Sequence, residues 1–157
     1  MMKNLRVMAV VLAGLYASVA GAAGVMVENP WVREAPPTAA ALGAFMVLHN
    51  QTAKSLVLVG AHSAVAAEVQ LHRTVVEGGM AKMLHQHNIE IPANGKLEFK
   101  PGDYHLMLMQ PARVLKAGEK VEITLKFKDG SSLPATFEVR AGMGMAMDHG
   151  KMMHHGH

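Results

Sequence analysis

Cysteine is absent from all 157 residues, and the aromatic residues number only one Trp, two Tyr and four Phe. Without cysteine there are no disulfide staples, so the core alone must hold the fold. The same absence removes thiolate chemistry. It excludes the blue-copper type of electron-transfer centre, which needs a Cys sulfur beside two His. It also leaves no N-terminal cysteine to carry a lipid. So few aromatics, with no basic patch interleaved among them, exclude a nucleic-acid surface. Long hydrophobic runs are missing too: beyond the N-terminus no stretch reaches the ~20 apolar residues that a membrane-spanning helix needs.

The chain opens with the layout of a secretory signal. Lys3 and Arg6 supply positive charge, an apolar run occupies residues 7–19, and the small residues Ala20, Gly21, Ala22 and Ala23 follow. A basic n-region, a short h-region and an A-x-A-type cleavage site make up such a signal, and the run is too short to span a bilayer. The sequence therefore predicts a signal peptide over residues 1–22, export, and no membrane span in the mature chain. About 135 residues remain, enough for one domain with its own core. The 15 Lys and Arg face 12 Asp and Glu; without Lys3 and Arg6 the balance is 13 against 12, net +1. Charge thus says little about partners.

What is there instead is period-two alternation. Over residues 120–128, Val121, Ile123, Leu125 and Phe127 alternate with Lys120, Glu122, Thr124, Lys126 and Lys128, which puts one face in a core and one in water. Asp129-Gly130 reads as a tight hairpin turn, with the chain returning over residues 133–139. Further strands are expected at 25–28, 43–49, 55–61, 68–73, 81–85, 96–100 and 104–110. Pro36-Pro37, Gly78-Gly79, Asn94-Gly95, Pro101-Gly102-Asp103 and Ala117-Gly118 separate these segments. Eight or nine short strands at this spacing predict an all-β, antiparallel sandwich or barrel. Residues 35–44 are the one stretch where a helical turn is expected. The pattern stops after Arg140, and residues 141–157 read as a flexible Met/His-rich tail after a domain over 23–140.

Methionine and histidine are the conspicuous surplus, at 14 and 10 residues. In a strand over 104–110, Tyr104, Leu106 and Leu108 share one face while His105, Met107 and Met109 share the other. An H-x-M pair then presents an imidazole and a thioether side by side, roughly 6–7 Å apart along the strand. Met107 and Met109 share a face, so spacing does not choose between them. The nearest chain able to complete a site is residues 68–85, with His72 closing an apolar-alternating run and Met83 following the Gly78-Gly79 turn. Soft thioethers and neutral imidazoles without carboxylates suit Cu(I) and disfavour Mg²⁺ and Ca²⁺. Zinc more often recruits Cys, Asp or Glu. Outside the cytoplasm, thioethers also avoid the disulfide formation that disables paired thiols.

From His72 the sequence reads His, ten residues, Met83, twenty-one residues, His105-x-Met107. This resembles the signature of the periplasmic copper chaperones of the PCuAC family. The likeness extends through residues 43–50, 56–60, 101–108 and 125–130, and covers essentially 25–140. The resemblance implies a cupredoxin-like β-sandwich and a periplasmic location, with His72, Met83, His105 and Met107 as Cu(I) ligands and Met109 as a neighbour. It also implies a role in passing copper to other periplasmic copper-transfer proteins or to assembly of the cytochrome c oxidase copper centres.

Two further groups are candidate metal ligands. His85 and His87 follow Met83 at two-residue spacing, which in a continuing strand places all three on one face; they read as an auxiliary site, a relay, or solvated histidines. In the tail, Met143, Met145 and Met147, with Met152 and Met153, suit Cu(I), while His149, His154, His155 and His157 suit Cu(II). Folded over the domain, such a tail would raise the local copper concentration there. No nucleophile–base constellation is present, and a saturated two-His, two-thioether site resists redox cycling. The expectation is a binding protein rather than an enzyme: a chaperone, or alternatively a storage and tolerance protein that buffers copper.

Overall fold

A computed structural model of the chain describes residues 22–142, so the expected signal peptide (save Ala22) and the Met/His-rich stretch from Met143 to His157 lie outside the described residues. Ten strands run in order: β1 (Val25–Arg33), β2 (Ala41–Asn50), β3 (Leu56–His62), β4 (Ala66–Glu77), β5 (Met80–Gln86), β6 (Ile89–Ile91), β7 (Lys96–Phe99), β8 (Tyr104–Pro111), β9 (Lys120–Phe127) and β10 (Ser132–Arg140). No helix occurs among the described residues, and none there is long and apolar enough to cross a membrane. The helical turn expected within 35–44 does not form. Ala39 N–H donates to the Pro36 carbonyl in a simple turn, and the remaining small residues enter β2. There Leu42 and Ala44 alternate inward against Ala41 and Gly43, an alternation muted in the sequence by the size of its residues.

Strand pairing runs β4-β8-β2-β1-β10-β9-β3, and β3 returns to β4 through Ala61 and Val69, closing a seven-stranded barrel. β5 lies outside the ring against β4, β6 against β3, and β7 against the second half of β2. Pairing is antiparallel except between β1 and β10, which run parallel with Arg33 opposite Arg140. That pair brings the end of β10 to the rim beside β1. A Cβ on Gly142 would lie 3.7 Å from the Arg33 side chain.

The barrel interior is built by alternation. In β9, Val121, Ile123, Leu125 and Phe127 are all buried while Lys120, Glu122 and Lys126 are exposed; each such burial contributes roughly 1.5–3 kcal/mol. Leu42, Ala44, Met46 and Leu48 of β2, Leu106 and Leu108 of β8, and Val69 and Leu71 of β4 meet them inside. The Asp129-Gly130 hairpin forms as expected. Gly130 takes φ 88°, Phe127 N–H donates to Ser131 O at 3.0 Å, and the Asp129 carboxylate accepts Ser131 N–H at 2.8 Å.

β4 and β5 are joined by Gly78-Gly79, with φ 57° and 78°, the left-handed pair a two-residue hairpin requires. β4 reaches Glu77, beyond the predicted 68–73, because its last residues pair only with β5. The result is a two-stranded ribbon that projects past the barrel wall.

Candidate metal centre

The outward face of β8, β4 and β5 gathers the histidines. Register sets His105 opposite His72 and His72 opposite His85, so three imidazoles form one row across three strands. Ring centres lie 5.6 Å apart in both pairs. Although it faces away from the barrel interior, His105 is only 4% exposed. His72 covers one side of it, and Phe45, whose ring centre is 6.4 Å away, lies on another.

Each of the two central rings is held by one nitrogen. The Lys100-Pro101-Gly102-Asp103 turn has Pro second and Gly third with Gly102 at φ 84°, as a type II turn demands. It presents the Asp103 carbonyl to two donors: Thr74 N–H at 3.1 Å and His105 Nδ1 at 2.9 Å. A carbonyl only accepts, so Nδ1 carries the proton and Nε2 carries a bare lone pair. On β4, Gln70 Nε2 donates to Glu68 Oε2 at 3.1 Å, which turns Gln70 Oε1 toward His72 Nε2 at 2.8 Å. His72 Nε2 is therefore the donor and Nδ1 the free lone pair.

The two nitrogens left over, His72 Nδ1 and His105 Nε2, are the buried side-chain polar atoms without a hydrogen-bond partner among the described residues. A buried acceptor left unpaired is costly, and a ring fixed through its other nitrogen is how proteins orient metal-binding histidines. Burial, and then the neighbouring His105 and His85 rings, push the His72 pKa below its ordinary value. The ring is kept neutral, the form that ligates.

Thioethers flank this pair. A cleft of about 210 Å³ is lined by His105, Met107 and Met83 together with Arg33, Gly43, Phe45 and Thr74. Met107 is half-buried and sits between Gly43 of β2 and Gln70 of β4. Met109 shares its face but stands one step further along, between Ala41 and Glu68, and does not line the cleft. Met83 sits on the ribbon opposite Thr74 and is 61% exposed. His85 and His87 are exposed next to it, with ring centres 4.7 Å apart. Of the four signature residues, three line the cleft, and His72 adjoins it through His105. The tail candidates from Met143 to His157 lie outside the described residues.

Sequence reasoning missed the residues that shape this cleft. A Cβ on Gly43 would meet Phe45 Cζ at 3.1 Å, so glycine lets the ring lie back beside Met107 and His105. Phe45 in turn packs on Trp31 at 4.7 Å, and the Arg33 guanidinium covers both rings at 5.3 and 5.9 Å. A glycine inside a strand pattern, which marks close approach of a neighbour, was the signal available. The Glu68-x-Gln70-x-His72 alternation was the signal for the polar chain that aims His72.

No three His, Cys, Asp or Glu side chains converge on a metal position among the described residues. A metal position at this cleft would therefore draw on the thioethers of Met83 and Met107 beside the imidazoles. Two neutral imidazoles with thioethers form a soft, uncharged donor set.

Comparison with known proteins places this architecture. The LpqE-like family model matches residues 25–139. A protein of Leifsonia xyli subsp. xyli named "Putative lipoprotein Lxx21020" is 38% identical over 118 residues, covering 74% of this chain and 70% of its own length. The uncharacterized protein RP573 of Rickettsia prowazekii is 32% identical over 116 residues, 69% of this chain and 62% of its own. Among solved structures, CuI-DR1885 from Deinococcus radiodurans is 36% identical with a TM-score of 0.63, covering 81% of this chain and 87% of that one. The copper-bound PCuAC domain from PmoF2 is 22% identical with a TM-score of 0.65, covering 76% and 94%, and bears on the fold alone. The expected all-β, cupredoxin-like architecture is thus the one observed, and the chain belongs to the LpqE-like family.

Proposed function

We propose that this protein is a periplasmic copper metallochaperone that binds Cu(I) through His72, Met83, His105 and Met107. One observation carries the reading: two adjacent, oriented imidazoles leave His72 Nδ1 and His105 Nε2 buried and unpaired beside a cleft lined by Met83 and Met107. A soft, uncharged donor set stabilises Cu(I) over harder ions, and the Cu(I)-bound relative from Deinococcus radiodurans supports that choice of cargo. His72, His105 and Met107 belong to strands of the closed barrel, while Met83 stands on the ribbon. Reversible binding, not turnover, is the activity, and delivery to other copper-transfer proteins or to cytochrome c oxidase copper-centre assembly is its purpose. Export through the N-terminal segment supplies the location.

Met83→Ala combined with Met107→Ala should abolish tight Cu(I) binding in competition with a chromophoric Cu(I) chelator. Unchanged affinity in that double variant would sink the ligand assignment. The five Met and four His that follow Gly142 favour a second reading, in which the protein stores copper and the tail binds additional Cu(I) or Cu(II). Stoichiometry separates the two. A chaperone holds one ion far more tightly than any other and loses only weak sites in a chain ending at Arg140, whereas a buffer loses most of its capacity.

A further inference from the structure

The histidines do not stop at the proposed Cu(I) site. From His105 at 4% exposure, the row continues through half-buried His72 to exposed His85 and then exposed His87. Successive ring centres are 5.6, 5.6 and 4.7 Å apart. The last pair differs from the others in three respects. Both rings are open to solvent, neither is paired with a carboxylate among the described residues, and they are the closest together.

An ion held by one nitrogen of each ring at about 2.0–2.1 Å would lie about 3.2 Å from each ring centre, and centres 4.7 Å apart would then set an N–metal–N angle of about 95°. The same construction for His72 and His105, at 5.6 Å, gives about 120°. A near-right angle between two imidazoles, with the remaining positions open to water, matches adjacent corners of a tetragonal Cu(II) centre. The wider angle suits the lower coordination of a soft ion.

The geometry points to a second, outer metal site formed by His85 and His87, specific for a borderline divalent cation and tightest for Cu(II). It adjoins the inner site, with His85 on the same strand as Met83, His87 just past that strand's end, and His72 as the inner ligand nearest to it. The inner site is aimed, buried and thioether-rich, whereas the outer one is exposed, nitrogen-only and completed by water. The outer site holds a divalent ion at the surface without redox change. Its location relative to the cargo rests on the proposed function, but its ligands do not.

The test uses the full-length chain carrying His149→Ala, His154→Ala, His155→Ala and His157→Ala, which removes the tail imidazoles. One equivalent of Cu(II) should broaden the amide NMR signals of residues 84–88 first and give a tetragonal, nitrogen-coupled EPR spectrum. Adding His85→Ala and His87→Ala should weaken Cu(II) binding by about tenfold or more, and His87→Ala alone, which leaves His85 beside His72, should weaken Cu(II) binding while leaving Cu(I) affinity unchanged. Both residues are exposed, and an unaltered metal-free amide spectrum confirms the fold. Cu(II) affinity that survives the double substitution, or broadening centred on His49 or on His72 and His105, overturns the outer site. Loss of Cu(II) at residues 84–88 together with no Cu(I) binding in the parent would refute the proposed cargo and leave the outer site standing.

Discussion

Gln70 accepts the Nε2–H of His72 at 2.8 Å while its own amide nitrogen donates to Glu68 at 3.1 Å. The carboxylate fixes which way the amide points, and the amide fixes which imidazole nitrogen is bare. Gln70→Leu should therefore lower Cu(I) affinity by roughly 10–100-fold, the usual cost of losing the group that orients a ligand. Glu68→Ala should cost less, since Gln70 can then rotate but still accept. Chelator competition reads both, and Gln70→Glu, which keeps an acceptor, should restore most of the affinity.

Methionine exposure orders oxidation. Met80 and Met83 are 67% and 61% exposed, whereas Met46 is 2% exposed and Met107 half-buried. Among the described methionines, limited peroxide treatment of metal-free protein should convert Met80 and Met83 to sulfoxide first, as read by peptide mass spectrometry. Cu(I) affinity should fall in step with Met83 modification, and a Met80→Leu variant should show the same fall. Full affinity retained at complete Met83 oxidation would remove it from the ligand set.

Gly43 is where packing and the site meet. Gly43→Val places branched carbon against Phe45, whose Cζ is already 3.1 Å from an ideal Cβ, and pushes the ring from its place beside His105. Overpacking of this kind costs about 1–3 kcal/mol, measurable by urea denaturation, and Cu(I) affinity should drop with it. Phe45→Leu should lose affinity while relieving the clash in a Gly43→Ala background.

A control lies at the far end of β2. Asn50 is 1% exposed; its Nδ2 donates to the carbonyls of Lys54, Ile91 and Pro92, and its Oδ1 accepts from Thr52 N–H and Oγ1–H. Asn50→Ala strands several buried groups and should destabilise by about 2–4 kcal/mol. Cu(I) affinity of the folded fraction should be unchanged, since Asn50 does not touch the cleft.

Alternation was the legible part of this chain. Lys120 to Phe127 could be drawn from sequence because large apolar and charged residues take turns there, and the H-x-M faces of β8 followed from the same rule. β6, three residues long, offers no period to detect, and the small residues at the start of β2 imitated a helical turn. The parallel β1–β10 pair depends on contacts more than a hundred residues apart. At the site, spacing left Met107 and Met109 equivalent. The family signature chose Met107, and strand register sets it beside Gly43 and Met109 beside Ala41. Gln70, Phe45 and Gly43 carry no metal-ligand chemistry, and their part emerges only when neighbours are known.

Met83 stands on a ribbon outside the closed ring of strands, and under the proposed function this divides the labour of a carrier between two mechanical parts. The barrel cannot open a gap without breaking a ladder, so what keeps the protein folded is not what lets the ion go. Bending of the ribbon alone would set the residence time of the cargo. Under the proposed function, substitutions at Gly78 and Gly79 should retune how fast copper leaves while the melting temperature of the barrel stays put.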